Sequence, residues 1–533
     1  MARSIALALA CLSALLVATG GFFFSPSTKA SMMTTVPTEY PTIQEAVDAA
    51  NPGDTVRVLA GTYYEHVVAN KSISLVGAGG NTTFIDGNGT GNVVFLSAND
   101  TTVSGFTVMN GDTGVWIAGS NCTVENNIVT ANARNYIGNG VFLNYSCNSR
   151  ITGNIITDNG GGPPSLRWGE GILCYGGCNN TFADNSISDN VVTGIDVISD
   201  YNLVKRNNLT NNDYVGIESA GDYNIVIDNV AFANNLTGIH LFGASYNVVR
   251  NNSLSENGHW DIFGNAYGGG IRLGWSSANI IEENRIWDNV GFGIDLSDLN
   301  PDNVVRGNSV FNNPEGIYFH YSNDTTVYHN NFINNSLNAD VGDAYPDVES
   351  WDNGAEGNYW SHLKGVDADL DGVLDAPYVL DSRNRDRYPL AQPWNETRTF
   401  HIPWGAATHD VNTCCNFTVA GCVFNQPAKH VSFNVTGPAN TTSPLNITIP
   451  LSLMWGDFSV LTDDVPQPFT ASQNATHTTV QTTVTANSTS HVKIYSTEVI
   501  PEHTQTTLAL LLLTITLSMV IMARKNRKLH AYK

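Results

Sequence analysis

Between Thr193 and Asn252 the chain writes one phrase three times, as TGIDVISDYNLVKRNN, VGIESAGDYNIVIDN and TGIHLFGASYNVVRNN. A repeat this short constrains the fold strongly, because a unit of about two dozen residues cannot bury its apolar face unless it stacks on its neighbours. Gly-(Ile/Val) begins at Gly114, Gly140, Gly171, Gly194, Gly216, Gly238, Gly270, Gly293 and Gly316, most often 22 or 23 residues apart. Interleaved with it runs Asn-x-Φ-x-x-Asn, where Φ is apolar, from Asn127 to Asn330, and in most repeats another Asn stands five residues ahead. Short alternating runs separated by Asn or Gly read as strands joined by tight bends. Stacked, Ile195, Ile217, Ile239, Ile271, Ile294 and Ile317 form one column of a continuous core, with parallel strands about 4.8 Å apart. Asn suits the bends, since it tolerates left-handed backbone angles, bonds to nearby peptide groups and can ladder from coil to coil.

The ends of such a stack must be covered. In YPTIQEAVDAANPGD, Thr42 and Glu45 have capping-box spacing, and Ile43, Ala46, Val47 and Ala50 share one helical face. A short helix therefore lids the first coil. The expected class is all-β: a parallel β-helix over 32–394, then a β-sandwich of five to seven strands over 395–500, where Thr/Val/Asn-rich alternation loses the repeat period. Residues 1–31 read as a secretory signal, with an uncleaved anchor as the alternative. A stalk over 501–505 leads to an apolar stretch, TTLALLLLTITLSMVIMA (506–523), long enough to span a bilayer, and 524–533 form a basic tail expected in the cytoplasm. Asn-x-Ser/Thr sequons between these ends fit an extracytoplasmic glycoprotein. With 48 acidic against 25 basic side chains, a net charge of −23, the chain is not expected to bind nucleic acid.

The opening TIQEAVDAANPGDTVRVLAGTYYEHVVANKSISLVGAG, the Asn-x-Ile and Gly-Ile repeats, and the closing GNYWSHLKGVDADLDG with DAPYVLD and DRYPL resemble the NosD-type right-handed parallel β-helix family, also described as carbohydrate-binding and sugar-hydrolase repeats. The resemblance spans roughly residues 38–394 and is specific for fold, not for activity. The tail resembles the surface-anchoring ends of archaeal secreted β-helix proteins. The family name implies copper. Here His240, His259, His320, His329 and His362 are scattered, and no His or Met cluster offers the ligands copper prefers, so no copper site is expected.

Repeat lengths point to a site. The gap from repeat Asn to the next Gly is usually eight or nine residues but stretches to thirteen after Asn127, seventeen after Asn154 and eighteen after Asn252, always at the same corner. These loops carry Tyr136, Trp168, Trp260, Phe263 and Tyr267, and read as walls of a groove. Strand neighbours alternate, so the residue after Gly-Ile faces solvent. Asp196, Glu218 and His240 should line the floor, with Arg272 and Asp295 beyond the second wall. The expected function is binding of glycans or envelope polymers, with Trp168, Trp260, Tyr267 and Asp295 as carbohydrate contacts. One alternative is a polysaccharide lyase, epimerase or glycoside hydrolase using Asp196, Glu218, His240 and Arg272; another is a structural or adhesion module. In DADLDGVLD, alternate Asp367, Asp369, Asp371 and Asp375 suggest a structural calcium loop, although Tyr378 stands where an EF-hand places its bidentate Glu. Cys147 and Cys178 each lie seven residues before a repeat Asn, at one position on adjacent coils and within disulfide reach.

Overall fold

The computed structural model describes residues 31–500 except 134–137, 162–168, 261–265, 299, 323, 343–349, 369–372, 395, 405–406 and 416. The signal, stalk, apolar stretch and basic tail read from the sequence lie outside the described residues, apart from Ser31. Among the described residues no helix is long and apolar enough to cross a membrane.

One rung shows how the repeat folds. Ile195–Asp200 runs along one wall, Leu203–Lys205 along a second and Asn208–Thr210 along a third, before Val215–Ser219 starts the next rung. Repeated along the chain, this builds three parallel sheets of thirteen, twelve and thirteen strands. The register is the one the repeat predicts: Ile172, Ile195, Ile217, Ile239, Ile271, Ile294 and Ile317 pair in sequence, and all are fully buried.

Asparagine holds the corners. Asn207 donates its backbone N–H and its side-chain Nδ2 to Asn229 Oδ1, both at 2.9 Å, and Nδ2 also reaches Phe182 O at 2.9 Å. Asn229 repeats the pattern onto Asn252, and the file runs from Asn127 to Asn358. Parallel files run from Asn132 to Asn335 and from Asn180 to Asn303. Every such amide satisfies buried backbone groups that the tight bends would otherwise orphan. The left-handed conformation falls on the residue before the ladder asparagine, which is itself an asparagine at Asn126, Asn179, Asn211, Asn251, Asn312 and Asn334 and another residue at Arg206 (φ 51°), Tyr223 (φ 57°) and Asp228 (φ 59°); the ladder Asn follows because its amide can reach the adjacent rung.

The helix Ile43–Ala49 covers the first coil, with Thr42 Oγ1 accepting from Glu45 N at 3.2 Å and Ile43, Ala46 and Val47 buried. At the other end Trp351 and Trp360 plug the last coil, and buried Asp386 accepts from Trp360 Nε1 and Asn358 N. After Glu396 the strands turn antiparallel. Eight of them pair, more than the five to seven expected. Two are long, His430–Pro450 and His477–Val499, and each pairs with different partners along its two halves. The buried residues Val411, Phe433, Ile447, Val480 and Ile494 form a second core, separate from that of the helix.

Candidate functional site: a file of outward side chains

The strand alternation that sends Ile195, Ile217 and Ile239 inward turns Asp196, Glu218 and His240 to the outside. The register aligns Leu173, Asp196, Glu218, His240, Arg272, Asp295, Tyr318 and Asp340 in one file, one residue per rung. Arg272 and Asp295 are therefore not set apart behind a wall. They continue the row directly after His240, because the insertion before Gly269 leaves the strand register unchanged. Toward the N-terminus the file continues as Phe142, Trp116 and Phe95, with Trp116 4.8 Å edge-on to Phe142 and 6.2 Å from Phe95. Trp116, Phe142 and Tyr318 occupy the same position after Gly-Val or Gly-Ile that singles out Asp196, whereas Phe95 follows Val93-Val94 and lacks that signal.

The row is also more sunken than a solvated floor. His240 is 8% exposed and Asp295 4%. Phe242 stands 5.6 Å from the His240 ring, and Tyr214 lies close enough to feel both Glu218 and Arg272. Burial sets the proton affinities. It raises Asp196 well above the usual carboxylate range, helped by Glu218 and Glu170, and leaves Oδ1 of Asp196 without a hydrogen-bond partner. Burial, then Glu170, lifts Glu218 to about 6. Burial, then Arg272, lowers His240 to about 4, so the imidazole is neutral at physiological pH. Asp295 rises to about 6 through burial, against the pull of the Ser297 hydroxyl and Arg272. His240 Nδ1 lies 3.9 Å from Glu218 Oε1, and Arg272 lies 3.4 Å from Asp295 and 3.7 Å from Asp298. The set contains a carboxyl whose proton affinity burial raises, a carboxylate titrating near 6, a neutral imidazole and a guanidinium, groups suited to proton transfer beside an anionic or polar ligand.

The stretched connection between Asn252 and Gly270 folds in part as a small antiparallel hairpin, His259–Trp260 with Ala266–Tyr267, at the corner before the file's own strand Gly269–Gly274. Tyr267 is exposed and stacks on His259 at 5.5 Å. The Trp260 side chain, and Tyr136, Trp168 and Phe263, lie outside the described residues. So do Asp369 and Asp371 of the expected calcium loop; Asp375 Oδ2 accepts from Ala368 N at 3.3 Å. Cys147 and Cys178 face each other on adjacent rungs, with their sulfurs 2.9 Å apart.

Two family descriptions match the chain: "Right handed beta helix region" over residues 193–353 and "Periplasmic copper-binding protein (NosD)" over residues 48–223. Among the described residues no group of three or more His, Cys, Asp or Glu side chains lies where it could hold a metal ion. No curated protein matches. Solved structures of similar fold include the A-module of the Azotobacter vinelandii mannuronan C-5 epimerase AlgE6 (TM-score 0.46, 16% identity, 58% of this chain and 91% of that one). The catalytic domain of a GH87 α-1,3-glucanase in complex with tetrasaccharides aligns at TM-score 0.48 and 14% identity, over 61% of this chain and 70% of that one. The Dettilon tailspike protein aligns at TM-score 0.46 and 13% identity, over 87% and 93%. The three parallel sheets make residues up to the last coil a parallel β-helix, and the two matched stretches are similar to right-handed β-helix proteins.

Proposed function

We propose that this chain is an extracytoplasmic, surface-anchored β-helix that binds carbohydrate or another envelope polymer along the outward file. The observation that carries this reading is one file in which the aromatics Phe95, Trp116 and Phe142 are followed, after Leu173, by Asp196, Glu218, His240, Arg272 and Asp295 and then by Tyr318. Aromatic faces suit the apolar side of a sugar ring, and charged groups one rung apart suit its hydroxyls. A purely structural wall gains nothing from burying His240 and Asp295 and half-burying Asp196, Glu218 and Arg272, since each loses solvation. The net charge of −23 favours neutral polymers over polyanions. The apolar stretches at both ends, the basic tail and the sequons support the location. The uneven proton affinities of Asp196, Glu218 and His240 favour, as the second reading, acid–base chemistry on a bound polysaccharide.

Full-length chain solubilised in detergent and titrated with neutral and acidic polysaccharides, with product analysis, tests both. Trp116→Ala and Glu218→Ala are each expected to weaken binding roughly tenfold, a loss of about 1.4 kcal/mol. Equal affinity in wild type and both variants rejects the file as the binding surface. Binding without any change in the polymer rejects the catalytic reading alone.

A further inference from the structure

A second cluster lies on a different wall. Arg285 stands outside the strand Arg285–Trp287, in register with Ser309, Asn331 and Tyr359, on a face that the C-terminal antiparallel strands cover. It is only 6% exposed. Its guanidinium carbon lies 5.0 Å from the ring centres of Trp287 and Phe311, and 5.9 Å from that of Phe417 across the junction. One Nη1 contact reaches Thr436 O; Nε has no partner, and among the described residues no carboxylate pairs with the group. That is odd in a chain with nearly twice as many acidic as basic side chains. A buried guanidinium without a counter-ion costs several kcal/mol in desolvation.

Beside Arg285 is a cavity of about 220 Å³, bordered also by Phe311, Tyr359, Phe417, Asn334 and Thr442. We propose that this cavity is a binding site for a small organic carboxylate, whose charge meets Arg285 and whose single ring packs against Phe311, Tyr359 and Phe417. The planar fork of arginine matches a carboxylate, and Arg285 itself lines the cavity. The aromatic border favours an organic body over inorganic phosphate. The volume falls below that of pockets for drug-sized ligands, which limits the ligand to about one ring. Burial pushes the Arg285 guanidinium down to about 10, so it stays charged at neutral pH and the need for an anion persists. The ligand would touch both the helix wall and the C-terminal strands, and so would tie them together.

Isothermal titration of the solubilised full-length chain with benzoate and glucuronate, against their uncharged counterparts benzyl alcohol and glucose and against inorganic phosphate, tests the proposal. At least one carboxylate is expected to bind tenfold or more tighter than its uncharged counterpart and than phosphate, and the pair that discriminates identifies an aromatic or a sugar acid. Arg285→Gln should abolish the preference. Thr442→Trp, which leaves Arg285 in place and fills the cavity from its rim, should abolish binding altogether. No carboxylate preference in wild type, phosphate binding as tight as the carboxylates, or carboxylate binding unchanged in both variants overturns the site.

Discussion

Asn229→Leu is expected to lower the unfolding free energy by about 3–6 kcal/mol, although leucine fits the volume and the site is inside the wall. Asn229 is 1% exposed. Its Oδ1 accepts from the backbone N and Nδ2 of Asn207, both at 2.9 Å, and its Nδ2 donates to Val204 O, Ile227 O and Asn252 Oδ1, each at 3.0 Å. Leucine leaves both Asn207 donors facing a methyl group and takes the side-chain donor from Val204 O. Each orphaned buried group costs about 1–3 kcal/mol, far more than a hydrogen bond contributes when both partners are present. Asn208→Ala, next to the ladder residue Asn207 but exposed on the outer face, is expected to stay within about 0.5 kcal/mol. Equilibrium urea unfolding of the two variants beside wild type makes the comparison. Similar small losses in both would show that the asparagine files are not what holds the corners.

Glu218→Gln is expected to do the opposite and stabilise the protein, by about 2 kcal/mol above pH 6. Burial raises the folded-state affinity of this carboxyl from 4.5 to about 6, so the folded state binds more protons than the unfolded one between those values. The stability of the wild type therefore falls as pH rises from 4.5 to 6, and the full penalty remains at neutral pH. Glutamine imitates the protonated form, so its advantage should shrink as pH falls through 6 and vanish below about 4.5. His240 slopes the other way: its affinity drops from 6.5 to about 4, so stability is lost as pH falls through that window. Subtracting the variant's profile from that of the wild type removes most of the histidine contribution and isolates Glu218. A side chain whose removal stabilises the fold is one retained for another reason, which is why this outcome bears on function. A variant no more stable than wild type at pH 7.5 would reduce Glu218 to an ordinary surface carboxylate.

Periodicity was enough to place Asp196, Glu218 and His240 in one row and to turn Arg272 and Asp295 outward, because in a stack of parallel rungs the phase of a residue in its repeat decides its column and its side; only the register shows the last two continuing that row directly. The same rule applied to Gly114-Val-Trp, Gly140-Val-Phe and Gly316-Ile-Tyr yields Trp116, Phe142 and Tyr318. Depth was not legible. Whether an outward residue is solvated depends on side chains from other positions, such as Phe242 beside His240, and those contacts have no period. Some left-handed residues were hidden for another reason: Arg206 and Tyr223 take that conformation against their own preference, because the ladder asparagine that follows holds the bend. Arg285 was least visible. Its repeat position reads as solvent-facing, and only the approach of Phe417 and Thr436, more than a hundred residues later, buries it.

The account rests on equivalent repeat positions lying directly above one another. Residues 201 and 324 are both exposed and each stands two residues ahead of a strand residue in one sheet, Leu203 and Thr326. These two strands are five rungs apart, through Ile225, Val248, Ile280 and Val304. Spin labels introduced at 201 and 324 on encoded non-cysteine side chains, read by pulsed electron resonance, should give one narrow distance distribution near 24 Å, from a spacing of about 4.8 Å per rung. A broad distribution, or one centred beyond about 40 Å, would mean that these repeats do not stack in this register.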